Sequence, residues 1–177
     1  MSTEPRSAED LPDAVRRLIG VPMYEERSEF DIELGYVFNT CAAVQNGNPL
    51  YWQRDVAAEI TNGPIAPPTM MSVWFRPHHW TPGASGERKA MQLHFDLKEQ
   101  LGLPEAVVVK HESVFGEPVR PGDVLSTCQI LQSIGEPKQT KVGRGRFWTI
   151  DVRAANQHGD WVGTESYSFL GYRRPES

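Results

Sequence analysis

The chain has 177 residues, 39% of them hydrophobic and 23% charged, with a formal charge of −5. That length suits one domain able to bury a core without staples. The acidic balance excludes nucleic acid as the main partner, because phosphate binding calls for a basic surface.

No apolar run nears the ~20 residues of a membrane span, and the polar start "MSTEPRSAED" lacks the features of a secretory signal. A cytoplasmic setting is the expectation. Residues 1–23 read as an extension. After a loose start, "DLPDAVRRLIG" spaces Leu11, Val15, Leu18 and Ile19 as a short helix with Gly20 as its stop. "YEERSEFDI" is consistent with a short strand. In "IELGYVFNTCAAVQN", Leu34, Phe38 and Cys41 share an apolar face, which predicts a helix ending near Gln45. "NGNP" breaks it, and "QRDVAAEI" predicts one or two helical turns before "TNGPIAPP". In "PPTMMSVWF", Thr69 to Phe75 carry no charge, and proline suits a first turn because its missing N–H would be unpaired there anyway. A mostly buried helix over about residues 67–80 follows. "RPHHWTPGASGER" is loop-like, and "KAMQLHFDLKEQLG" has mixed periodicity.

From residue 105 the period changes to two. "AVVVKHESVF", "DVLSTCQILQSI", "GRFWTIDVRAA" and "DWVGTESYSFLGYR" read as strands, with turns at "PVRPGDVL" and "NQHGD". Helices first and long antiparallel strands afterwards make an α+β order. A buried helix wrapped by such a sheet is the layout of a hotdog fold, here over residues 24–174.

The blocks "NGNPLY", "GPIAPPTMMSVW", "EPVRPGDVL" and "GEPKQTKVGRGRFWTIDVRAANQHGDWVGTESYSFLGY" resemble, in order, the MaoC-like acyl dehydratase family. The likeness covers residues 25–173 and is strongest to the family's N-terminal-type domains, including those of heteromeric (3R)-hydroxyacyl-thioester dehydratases and of a steroid side-chain enoyl-CoA hydratase. It implies reversible addition of water to a 2-enoyl thioester, carried by coenzyme A or phosphopantetheine, with no other cofactor. That reaction needs a carboxylate to activate water, a second acid/base group, and a donor for the developing enolate charge.

Catalytic members carry Asp-x-Asn-Pro-aliphatic-His, followed by a His-Gly step at the start of the central helix. Against that pattern Asn48, Pro49 and Leu50 match, but Asn46 replaces Asp and Tyr51 replaces His. The His-Gly positions read Pro67-Pro68, which have no N–H to offer an oxyanion. An amide takes no proton at neutral pH, and an ordinary phenol titrates near 10. The loop therefore resembles a hydratase loop whose acid/base groups are gone, and the resemblance implies no catalytic residue here.

What remains is a set of candidate substrate-binding residues: Asn48, Tyr51, Ala66, Thr69, Met70 and Trp74 around the acyl site. Lys138, Lys141, Arg144 and Arg146 are candidate partners for the carrier's phosphates. Each has a plainer reading. Asn-Gly and Asn-Pro are ordinary turn formers, "MMSVWF" is ordinary core, and the basic residues fit a solvated strand edge. Adjacent His78 and His79 cannot both face one metal comfortably, and Cys41 and Cys128 match no metal or redox spacing.

Hotdogs act in pairs, so a second hotdog protein, or a second copy, is the expected partner beside the acyl thioester. Two alternatives stand beside a non-catalytic subunit of a heteromeric hydratase. One is a self-sufficient enzyme using Asp55, Glu59 or a loop histidine. The other is a homodimeric binding module without turnover.

Overall fold

The computed structural model describes residues 11–75, 82–83 and 90–175. Six antiparallel strands form one sheet: β1 (Pro22–Arg27), β2 (Glu105–Phe115), β3 (Ser126–Ile134), β4 (Lys138–Thr140), β5 (Gly143–Ala155) and β6 (Trp161–Arg173). Their order is β1-β3-β5-β6-β2, with β4 paired to the start of β5. The period-two segments thus become the four long strands, and the turn over 156–160 joins β5 to β6. Asn156 builds it, its side-chain oxygen accepting from the N–H groups of His158 and Asp160.

Among the described residues, five α-helices accompany the sheet: α1 (Asp13–Arg16), α2 (Leu34–Ala43), α3 (Pro49–Trp52), α4 (Arg54–Thr61) and α5 (Gln92–Gln100). α2 ends where Gln45 turns left-handed at φ 54°. The short α3 falls where a plain break was expected. Asn48 caps it, and Pro49 suits its first turn.

The central helix expected over about residues 67–80 is present where it is described, with a tighter pitch than an α-helix. Pro68–Phe75 is a 3-10 helix, and residues 76–80 lie outside those described. Proline's missing N–H and the crowded χ1 of Val73 explain the departure. Neither favours a full i→i−4 ladder, and close packing of Met70 and Met71 onto the sheet holds the tighter turn. The helical layer resumes at α5, whose mixed pattern conceals a face: Leu93 and Leu97 lie one turn apart and are fully buried.

Among the described residues, two apolar clusters lie between the helices and the sheet. Under the 3-10 helix, Val37, Cys41, Ala66, Met70 and Met71 pack with Ala154 and Val162. Under α5, Leu93 and Leu97 pack with Val15, Leu131, Trp148, Ile150 and Phe169. Gln129, only 3% exposed, reaches up from β3 to accept the Leu93 N–H at 3.1 Å, satisfying a donor of the first turn of α5. Tyr24 of β1 hydrogen-bonds Asp96 from the other side, and Gln92 donates to the same carboxylate. Accepting that carboxylate as its partner pushes the Tyr24 phenol up to about 12.

β2 differs from the rest. It pairs with β6 alone, at the edge of the sheet, and nine of its eleven residues are exposed. Val107, Val108, Val109, Val114 and Phe115 are among them. In a folded chain such a run is expected to be covered.

Candidate functional site

The loop after α2 is held by its own side chains. The Asn46 N–H donates to the Cys41 carbonyl at 2.8 Å, and the Asn46 side-chain oxygen accepts from the Asn48 N–H at 3.1 Å. Asn48 repeats the arrangement, accepting from Leu50 N–H at 3.0 Å. Trp52 donates its indole N–H to the Asn46 carbonyl at 2.7 Å and stacks on Phe38, centroids 5.2 Å apart. Both asparagines are thus engaged in shaping the turn. At the position the likeness assigns to a general base stands a neutral amide whose oxygen is already in use.

Tyr51 is half-buried against the cluster that holds Ala66, Met70, Met71 and Trp74. Burial pushes its phenol above the usual value, and the Cys41 thiol beside it adds to the rise. The shift runs opposite to what a base requires. Cys41 is buried in the same cluster, its own thiol raised by desolvation.

At the helix entry, the last N–H before the prolines belongs to Ala66, and Val119's carbonyl takes it at 2.8 Å. Pro67 and Pro68 follow with no donor, and Met70 N–H turns back to the Pro67 carbonyl at 2.9 Å. Thr69 is exposed. The fold therefore gathers Tyr51, Ala66, Met70 and Trp74 into one apolar wall, with Asn48 exposed on the loop.

The basic residues lie elsewhere. Lys138 on β4, Lys141 in the turn and Arg144 on β5 are exposed around one hairpin. Arg146 is 6% exposed and donates to the Gly135 carbonyl at 2.9 Å, with Glu136 3.9 Å away, so it braces the β3–β4 connection. Ala154, which contacts the Met70 cluster, is ten residues along β5 from Arg144, or roughly 30 Å of strand. The two sets of candidates do not share one site within a single chain. His78 and His79 lie outside the described residues.

One polar group escaped the sequence reading. Glu165 on β6 is buried, and Tyr167 donates its hydroxyl to the carboxylate at 2.9 Å. His111 on β2 stacks on Tyr167, centroids 4.3 Å apart and nearly coplanar, with its Nε2 3.9 Å from the other carboxylate oxygen. Period two offered a signal: Glu165 shares a face with Tyr167 and Phe169, a lone carboxylate on a core face. Among the described residues, no group of three or more His, Cys, Asp or Glu is placed to hold a metal ion. Among the same residues, no helix is long and apolar enough to cross a membrane.

Residues 17–165 match the family described as FAS1-like, dehydratase domain region. The chain belongs to that family. Its fold is the hotdog of the MaoC-like dehydratases, in agreement with the resemblance read from the motif blocks. It is 27% identical over 94% of its length to a probable enoyl-CoA hydratase alpha subunit of Thermomonospora curvata, of which it spans about half, 53%. Among solved structures it superimposes on a chain of the ChsH1–ChsH2 complex of Mycobacterium tuberculosis with a TM-score of 0.75. The identity there is 22%, and the match covers 93% of this chain and 92% of that one. A chain of the HadBC (3R)-hydroxyacyl-ACP dehydratase complex of the same organism gives a TM-score of 0.59 at 18% identity, covering 87% of this chain and 97% of that one.

Proposed function

We propose that this chain is the acyl-thioester-binding, non-catalytic subunit of a heteromeric enoyl-CoA hydratase or (3R)-hydroxyacyl dehydratase. The observation that carries the reading is the state of the dyad positions. The Asn46 oxygen is committed to the turn, the Tyr51 phenol is raised by burial, and the following prolines offer no oxyanion donor. Three requirements of hydration are missing from the place where the family keeps them.

A partner hotdog supplies them on this reading, and β2 is where it docks. An eleven-residue edge strand with exposed valines at both ends, and one side unpaired among the described residues, can accept a strand from a second sheet and bury its valines in the same step. The similar solved structures are a ChsH1–ChsH2 complex and a HadBC complex, which supports a hetero-oligomer. The likeness of the motif blocks to a steroid side-chain enoyl-CoA hydratase favours a bulky or long acyl group. Coenzyme A or a phosphopantetheine carrier presents the thioester.

The test is hydration of but-2-enoyl-CoA and longer enoyl-CoAs by the pure chain and by the chain mixed with a hotdog protein encoded beside its gene. Turnover in the mixture alone supports the subunit reading. Turnover by the pure chain rejects it.

A further inference from the structure

Between the two apolar clusters the sheet carries a polar gap. Along β6, Gly163 lies under Met71 and Phe169 lies in the cluster under α5; Glu165 and Tyr167 fall between them on the same face. The register of β2 on β6 sets His111 opposite Tyr167. Glu165 is 7% exposed. A carboxylate this deep is tolerated when donors fill its lone pairs.

Tyr167 fills one position, on Oε2. Oε1 faces His111 Nε2 across 3.9 Å, which is ion-pair reach but too long for a hydrogen bond. One oxygen atom set about 2.8 Å from each side would complete two hydrogen bonds at once. That oxygen must donate to the carboxylate and accept from an imidazole N–H. A hydroxyl does both, a ketone lacks the proton and a methylene lacks everything.

We propose that Glu165, Tyr167 and His111 form a receptor for a hydroxyl carried on the acyl chain beyond its reacting carbons. This rests on the acyl-thioester reading and names its ligand class: thioesters of remotely hydroxylated acids. The remoteness follows from position. The loop resembling the hydratase loop packs through Tyr51 onto the Met71 cluster. Glu165 lies two residues beyond Gly163 on β6, roughly 7 Å further from that cluster. An acyl chain following the apolar wall past Met71 meets the carboxylate next.

Isothermal titration of the full chain, alone and mixed with the hotdog protein encoded beside its gene, with ω-hydroxyacyl-CoAs of eight, ten and twelve carbons, the matching unsubstituted acyl-CoAs and 3-hydroxydecanoyl-CoA tests this. At least one ω-hydroxy ligand should bind about tenfold tighter than its unsubstituted counterpart, the scale of hydrogen bonds to a charged group. Glu165→Gln and His111→Ala should each erase that preference while leaving the unsubstituted ligand within about twofold. His111 is on the exposed edge strand, so its variant carries the test if Glu165→Gln fails to fold. Equal binding of hydroxylated and plain ligands overturns the receptor and leaves the acyl-thioester reading standing. Binding of none overturns both. A preference for the 3-hydroxy ligand alone overturns the remote placement. Hydration of but-2-enoyl-CoA by the pure chain, lost in Glu165→Gln, also overturns the receptor, because the pair then activates water instead of holding a hydroxyl.

Discussion

Asn46 and Tyr51 show how a reactive loop can keep its shape after its chemistry is gone. Asp and Asn both accept a hydrogen bond from the N–H two residues on, so the turn survives the exchange; only the carboxylate's basicity is lost. Restoring Asn46→Asp with Tyr51→His should therefore give no measurable enoyl-CoA hydration by the chain alone, since Pro67 and Pro68 still offer no donor. A spectrophotometric assay of the double variant checks this. His94 makes a second residue-scale case. Its ring lies 4.0 Å from that of Phe169, and its Nδ1 has no hydrogen-bond partner among the described residues. Burial, aided by the Lys98 charge, pulls its pKa down from 6.5 to about 4. The unfolded chain then binds the extra proton first as pH falls. Its contribution to stability is intact above about pH 6.5 and is lost progressively toward pH 4, by up to about 3 kcal/mol. Thermal melts across that range should show a steeper decline for the native chain than for His94→Leu.

Elements of the sheet were legible because the period-two, β-branched and aromatic pattern of residues 105–173 is hard to mimic, even where β3 and β6 bury consecutive residues. α5 was obscured because His94, which the pattern counts as polar, is buried on the same side as Leu93 and Leu97. The 3-10 segment was legible as core-packed, through Met70 and Met71, but not in its pitch, which depends on how those side chains seat on the sheet. Gly163 records that seating: a Cβ there would come within 2.5 Å of the Met71 sulfur and 3.0 Å of the Val114 carbonyl. Gly171 does the same under α5, where a Cβ would run into the Trp148 ring. Gly171→Ala should lower stability by about 1–3 kcal/mol, the cost of overpacking, read as a reduced denaturation midpoint with unchanged slope. Of the candidate site, the loop was legible from local residue types. The Glu165–His111 pair was not, because only the β2–β6 register brings its members together.

At the scale of the whole molecule, two apolar clusters share β5 and β6, and a long apolar strand lies at the sheet's edge. A second sheet adding to β2 would bury that strand and complete the cleft between the two hotdogs. Lysines at Val107 and Val114, both exposed, should leave the monomer's melting temperature nearly unchanged and weaken association with a second hotdog protein at least tenfold. Sedimentation velocity across a concentration series reads this directly.

The same edge governs how the polypeptide behaves before it meets anything. Freshly made and unaccompanied, it displays a β-rich template on which any stray extended segment can grow, so heat or crowding should drive it into insoluble fibrous deposits. Yield of intact material should therefore rise steeply when a complementary chain is synthesised in the same cell.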